Sequence, residues 1–380
     1  MIVEIYGARF VNKGAEMMLY AIVNKIKEQY PDAKFVLSCS SKAEFDLLTQ
    51  KGFYKRITYR KHILDLGDLG RFIPKSVRLK NNIVLEKEID VFFEASGFAY
   101  GDQWTYRMAN YVANKFEKFK RNKTKLVVMP QALGPFNNQL NNQHTMRFIN
   151  LADYVFVRDK QSFEYLEKLD IKHKNVKLMP DFTMLLKPQV DEKYIRLKDA
   201  VLIVPNKKVI TTSKLPNIEE LYTEMLKETI LKLSSKGIST IFLIHEGVGD
   251  YHVAEAINNK LPNPIEIVWE KDIYKLKGII SQGKALIGSR FHSLVSSLSQ
   301  AIPSIAIGWS HKYQMLFEDF NTEKNIFKVD DRKEVYLNKV DEFFTDNELL
   351  SEKENLLNQS AVQKEKIDEM WQIIFEKIIQ

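Results

Sequence analysis

An arginine and a histidine two positions apart, at a turn from strand to helix, are the residues of this chain best placed to do chemistry. The segment Gly288-Ser289-Arg290-Phe291-His292-Ser293 follows the apolar run Ala285-Leu286-Ile287 and opens a helix near His292. A helix start presents free backbone N–H groups and the positive end of the helix dipole, and so attracts anions. Gly288 lets backbone approach closely. Arg290 can grip a carboxylate or phosphate through two parallel hydrogen bonds, and His292 can move protons near neutral pH. The competing reading is a capped helix whose Arg and His are surface residues; the strand–glycine–helix setting favours the functional one.

Two further strand ends carry polar residues of the same kind. In Val157-Arg158-Asp159, Arg158 stands where a strand meets a loop, either as an anion contact or as a structural partner of Asp159 or another acid. In Leu243-Ile244-His245-Glu246-Gly247-Val248-Gly249-Asp250, His245 ends a strand before two glycines, where it can orient a ligand hydroxyl or serve as a core-edge histidine. His245 and His252 have the composition of a metal pair but fit no tight ligand spacing. Asn12-Lys13-Gly14-Ala15 and Ser96-Gly97-Phe98-Ala99-Tyr100-Gly101-Asp102 are glycine-bearing loops without a P-loop or dinucleotide fingerprint. Met129-Pro130-Gln131-Ala132-Leu133-Gly134-Pro135-Phe136 is another strand-end loop, with Gln131 as its polar contact.

The elements that must position these residues alternate between short apolar strands and amphipathic helices, the pattern of parallel sheets covered on both faces. Strands are predicted at Ile2–Tyr6, Lys34–Ser38, Val91–Glu94, Leu126–Met129, Tyr154–Val157 and Val176–Met179. Helices are predicted from Ala15, over Ala43–Lys51 with Gly52 as its C-cap, and over Lys160–Leu169. Lys187-Pro188-Gln189-Val190-Asp191 reads as a linker, after which the grammar restarts from Ala200–Val204. The expected organisation is an N-terminal domain over 1–187, a C-terminal domain over 192–335 and a docked helical tail over 336–380. The fold class is α/β, with two Rossmann-like domains facing a cleft at their strands' carboxyl ends. The tail stripe Ile367, Met370, Trp371 and Ile374 is expected to pack across the domains.

Composition narrows the function. With 45% hydrophobic and 28% charged residues the chain has real cores. A net charge of +7 favours anionic partners or reflects a lysine-rich surface. The single cysteine, Cys39, ends an apolar run and is expected to be buried; alone it allows no intramolecular disulfide. No signal peptide or membrane span is apparent, so the expectation is a cytoplasmic protein that touches the inner membrane face at most peripherally. The run Tyr54-Lys55-Arg56-Ile57-Thr58-Tyr59-Arg60-Lys61 mixes cations and aromatics but carries no nucleic-acid motif, so no nucleic-acid partner is expected.

In order along the chain, these pieces resemble the polysaccharide pyruvyl transferases. The set is Asn12-Lys13-Gly14, Ser96-Gly97-Phe98 with Gly101-Asp102, Pro130 to Phe136, Val157-Arg158-Asp159 with Ser162, Pro180-Asp181, His245 with Asp250, Gly288-Ser289-Arg290-Phe291-His292, Ala301-Ile302-Pro303 and Lys312. The resemblance implies a GT-B-like fold and transfer of the pyruvyl unit of phosphoenolpyruvate to two hydroxyls of one sugar. The product is a ketal, phosphate is released, and the acceptor is a glycan or its lipid-linked precursor. Ser96-Gly97-Phe98 departs from the family's glycine run, and Phe291 from its usual Leu or Tyr; the first bears on the acceptor.

The donor's carboxylate and phosphate need more than one cation. Arg158 and Arg290 supply these from opposite domains in this reading, with Lys312 at the phosphate. His292 is the expected proton carrier, and Asn12, Gly14, Ser96, Gly97, Gln131, His245, Gly288, Ser289 and Phe291 complete the expected substrate contacts. No cofactor or metal is required. The competing readings are a nucleotide-sugar glycosyltransferase, for which Glu246 is the candidate ribose-binding carboxylate, and a non-catalytic partner in polysaccharide assembly.

Overall fold

Strands buried on both faces read as continuous apolar runs, and Val201-Leu202-Ile203-Val204 is such a run, buried throughout. The computed structural model describes residues 1–57, 60–61, 64–65, 67–169, 171, 175–308 and 311–379. It places twelve strands in two six-stranded parallel sheets. The chain divides into two units. The first comprises Met1–Val11, Met18–Phe182 and Ile367–Gln380; the second comprises Asn12–Met17 and Thr183–Lys366.

In the first unit, β1 (Ile2–Tyr6), β2 (Lys34–Val36), β3 (Val91–Glu94), β4 (Lys125–Gln131), β5 (Tyr154–Val157) and β6 (Val176–Leu178) lie in the order β6-β5-β4-β3-β1-β2. Strand β4 contains Pro130, and its register against β5 shifts between Val128 and Gln131. Such an irregularity accommodates a proline and re-aims the next side chain, here Gln131. Strand β2 is shorter than the sequence predicts. Cys39 therefore falls in the following loop and is half-buried rather than buried. The helix over Lys42–Gln50 ends as expected, with Gly52 in the left-handed region at φ +80°.

Two helices that the sequence reading did not delimit, Tyr106–Arg121 and Gln139–Leu151, pack on this sheet's core through Phe116, Phe119 and Phe148. The basic run from Tyr54 falls partly outside the described residues. Two of its cations pack on the protein: Lys55 lies 3.8 Å from the Phe45 ring centre, and Arg56 pairs with Glu4 at 3.3 Å and with Glu86.

In the second unit, β7 (Val201–Val204), β8 (Thr240–Leu243), β9 (Ile267–Val268), β10 (Ala285–Gly288), β11 (Ser304–Ile307) and β12 (Ile326–Phe327) lie in the order β9-β8-β7-β10-β11-β12. Connections reverse direction across the β7/β10 pair, as they do across β1/β3 in the first sheet. In open parallel sheets ligands bind beyond the carboxyl ends at such a reversal.

The terminal helix, Asp346–Lys377, contributes to both units. Within the first, Ile367, Met370, Trp371 and Ile374 are buried. Trp371 lies 6.2 Å from the Phe93 ring on β3 and 5.7 Å from Phe375, and Lys25–Asp368 and Lys177–Glu369 ion pairs flank the stripe. Among the described residues no helix is long and apolar enough to cross a membrane. Trp371→Ala removes a buried anchor and should cost about 3–5 kcal/mol of stability. Thermal unfolding followed by circular dichroism checks it; an unchanged transition would show that the helix end does not hold this sheet.

Candidate functional site

In the second unit three polar segments leave the carboxyl ends of β7, β8 and β10. Beyond β10, Ser289 is fully buried. Its carbonyl accepts hydrogen bonds from Asn206 Nδ2 at 2.6 Å and Tyr313 Oη at 2.7 Å, and its hydroxyl lies 3.0 Å from Tyr222 Oη. Burial above all pushes the Tyr222 phenol up to about 12, so it stays protonated. A Cβ on Gly288 would stand 3.0 Å from Val204 Cβ, so β10 packs tightly on β7 at this glycine.

Arg290 is the N-cap residue of the helix Phe291–Leu298. Its fork is engaged within the protein. Nε and Nη2 donate to the two oxygens of Asp250 at 2.8 and 2.6 Å, and Nη1 donates to Glu246 at 3.0 Å. Asp250 is fully buried and also accepts from the backbone N–H of Lys207 at 2.9 Å. A guanidinium has about five N–H donors, so about two remain beyond these three.

His245, just past β8, is buried, and among the described residues neither ring nitrogen has a hydrogen-bond partner. Burial, then the positive charges of Arg290, His292 and Lys13, hold its imidazole well below the usual histidine range. It is therefore neutral at physiological pH. The Glu246 carboxyl is raised, chiefly by burial and against the opposing pull of Arg290.

Asn12–Met17 belongs to this unit. Asn12 caps the helix Lys13–Gln29, accepting from Ala15 N–H at 2.7 Å, while Lys13 pairs with Glu16 at 2.8 Å and donates to the Lys271 carbonyl. A Cβ on Gly14 would overlap the imidazole of His292. Glycine at 14 thus seats the His292 ring against the first turn of this helix. Phe291 meets that ring edge-on at 5.4 Å, and Lys312 Nζ lies 5.4 Å from the Phe291 ring centre. Asn12, Gly14, His245, Gly288, Ser289, Arg290, Phe291, His292 and Lys312 therefore share one unit.

The remaining expected residues lie in the first unit, around a group the sequence reading passed over. Glu94, the last residue of β3, is fully buried. Ser96 Oγ, Tyr100 Oη (2.9 Å) and Gln131 Nε2 all donate to its carboxylate, as does the Ser96 backbone N–H at 3.2 Å. Burial raises the carboxyl and these four donors oppose the rise. Ser96 and Gln131 are thus committed to Glu94, and Gly97 turns the loop with φ +74°. Arg158 is buried against Asp181 at 3.5 Å, while Asp159 caps the next helix through Ser162 N–H. A carboxylate closing the apolar run Val91-Phe92-Phe93 was the signal for Glu94.

The family model described as polysaccharide pyruvyl transferase matches residues 12–311. No curated protein matches the chain. Among solved structures, S. aureus MnaA with UDP is similar at a TM-score of 0.59 and 12% identity, over 100% of this chain and 98% of that one. UDP-GlcNAc 2-epimerase from Neisseria meningitidis bound to UDP-GlcNAc is similar at 0.59 and 10%, over 97% and 99%. Alr3699/HepE of Anabaena with UDP and glucose is similar at 0.56 and 12%, over 99% and 98%. At these identities the likeness is one of fold, which is GT-B-like.

The lowered pKa of His245 has a consequence for stability. In the unfolded chain the ring takes up a proton below about pH 6.5, whereas the folded protein resists it. Stability from the neutral ring is thus present above that pH and lost as pH falls toward the folded-state value. His245→Gln should flatten this loss, so parent and variant melting temperatures should differ in their slope between pH 7 and 5. Parallel slopes would show that the ring is not held neutral.

Proposed function

The chain belongs to the polysaccharide pyruvyl transferase family, and from that premise we propose that it transfers the pyruvyl unit of phosphoenolpyruvate to two hydroxyls of one sugar. The acceptor is a glycan or lipid-linked precursor in bacterial capsule, exopolysaccharide or cell-wall synthesis. The observation that carries this reading is the seating of His292 against Gly14, beside His245 and Arg290. That residues scattered along the family's motif order lie together in one unit supports the reading.

The reaction needs a proton delivered to the methylene carbon of the donor, which leaves the adjacent carbon electron-poor. One sugar hydroxyl adds there; phosphate leaves as the second adds, and the two hydroxyl protons balance the new methyl group and the phosphate. His245 is held neutral and resists protonation, so it suits hydrogen bonding rather than proton transfer. Proton delivery is assigned to His292. Arg290 offers its remaining N–H groups to the donor's carboxylate or phosphate, and Lys312 adds charge nearby. Arg158 is proposed as a further cation for the donor, its guanidinium held by Asp181. Ser96, Gly97 and Gln131, gathered around Glu94 in the first unit, are the proposed acceptor contacts. Glu246, the carboxylate a nucleotide-sugar reading would need for a ribose, accepts from Arg290 instead.

Phosphate release from phosphoenolpyruvate against a panel of lipid-linked and synthetic glycosides tests the assignment; release with none of them would sink it. His292→Asn should keep most of the donor affinity, read by calorimetry, and lose roughly 10²-fold or more in turnover. Turnover within a few-fold of the parent at saturation would leave His292 a wall residue. Gly14→Ala leaves the histidine in place but displaces its ring, and should lower turnover by at least about tenfold, roughly 1.4 kcal/mol. Arg290→Lys keeps the charge and loses the fork on Asp250. A loss of about tenfold or more is expected in the same assay, and normal turnover would remove Arg290 from the mechanism.

A further inference from the structure

The second unit contains a cavity of about 640 Å³ that the proposed reaction does not use. That size lies within the range of small-molecule sites, roughly 300–1,000 Å³. It opens past the carboxyl ends of β11 and β12, at Gly308 and at Lys328-Val329-Asp330, and is closed on another side by the short helix Lys207–Thr212 and the residues after it. Its apolar wall is aliphatic, made by Val209, Leu215, Ile218, Ile326 and Val329. Lys214 and Lys328 also line it. Both are exposed, and among the described residues neither amine has an ion-pair or hydrogen-bond partner. Asp330 is the one carboxylate on the wall.

The cavity is tied to the Arg290–His292 motif by two side chains. Asn206 caps the helix Lys207–Thr212 and donates its amide to the Ser289 carbonyl. Tyr313 lines the cavity, donates to the same carbonyl, and sets its ring 6.3 Å from that of Phe291. An occupant would therefore lie one side chain away from the motif.

Two unpaired ammonium groups beside a branched aliphatic wall select for an anion that carries hydrocarbon. A bare sugar would leave the aliphatic surface and both charges unanswered, and a plain anion would leave the aliphatic surface exposed. We propose that this cavity binds an amphipathic phosphate: a phosphate or diphosphate ester with a hydrocarbon chain. The anchor of a lipid-borne acceptor has this chemistry. That link rests on the proposed reaction; the binding itself does not.

Titration calorimetry on the intact chain, without phosphoenolpyruvate, tests it with geranyl diphosphate as probe and pyrophosphate and geraniol as controls. Each buried methylene adds roughly fourfold in affinity, so geranyl diphosphate should bind at least about tenfold more tightly than pyrophosphate. The double variant Lys214→Gln/Lys328→Gln should weaken the probe by roughly tenfold and reduce its salt dependence. Leu215→Ser should weaken geranyl diphosphate and leave pyrophosphate unchanged. Leu215 is 41% exposed, so this variant should fold. Pelleting with phosphatidylcholine vesicles only when they carry a polyprenyl phosphate would assign the ligand to a membrane; binding of geranyl diphosphate without pelleting would assign a soluble ester. No saturable binding of geranyl diphosphate, equal binding by pyrophosphate or geraniol, or an unaffected double-lysine variant would each overturn the proposal. Because no pyruvyl transfer is read, failure here is distinct from failure of the ketal reaction.

Discussion

Asp250 is a carboxylate with no solvent access, and the arginine that neutralises it ties three loops of the second sheet together. Its oxygens take the fork of Arg290, just beyond β10, and the backbone N–H of Lys207, just beyond β7; Asp250 itself follows β8. The three strands at the sheet's reversal are thus fixed to one another at their carboxyl ends by a single charge. Breaking such a buried pair from one side costs about 3–5 kcal/mol, because the remaining charge stays buried. The orientation of Arg290 also sets where the helix Phe291–Leu298 begins and hence where His292 can stand. What a sequence suggests as an anion clamp is first an organiser of the backbone, with only part of its guanidinium left over for a ligand.

The first sheet uses the same device with different chemistry. Glu94 ends β3 at that sheet's reversal and is fully buried, but among the described residues no cation pairs with it; a hydroxyl, a phenol, an amide and a backbone N–H hold it instead. Burial outweighs these donors and leaves its carboxyl raised. Donors committed to Glu94 are oriented: with Nε2 of Gln131 donated inward, its Oε1 faces away and has no partner. Both reversals are therefore stiffened by a buried acid.

Much of this was legible in the sequence where neighbours along the chain decide the outcome. The strand–glycine–helix setting of Gly288 to His292 is local, and so are the apolar runs that became β1, β3, β7, β10 and β11. Less legible was the helix Gln139–Leu151, whose buried face includes Asn141 and Thr145 and so blurs the apolar period. Strand β12 has two residues, too short for any pattern to register. The partners of Arg290 were beyond reach for another reason: Asp250 and Glu246 were visible as residues, but only the folded β8 exit shows that they take the fork. Glu94 fell to the same limit, since its donors come from the loop after it and from the far end of β4.

Gly14 shows how a weak local signal becomes specific through a distant contact. As a lone glycine in a loop it implied little. Its backbone lies within a helix and needs no left-handed conformation, so flexibility does not explain it. What explains it is the His292 ring in the space a Cβ would fill. That contact brings the helix dipole of Lys13–Gln29 and the Lys13 charge toward the two histidines, and the Lys13 charge adds to the forces that keep His245 neutral. The two histidines in this positive setting differ by burial: the His245 ring is buried and held unprotonated, while His292 is half-buried. The position of His292 follows from the same contact, because any residue larger than glycine at 14 would overlap its ring.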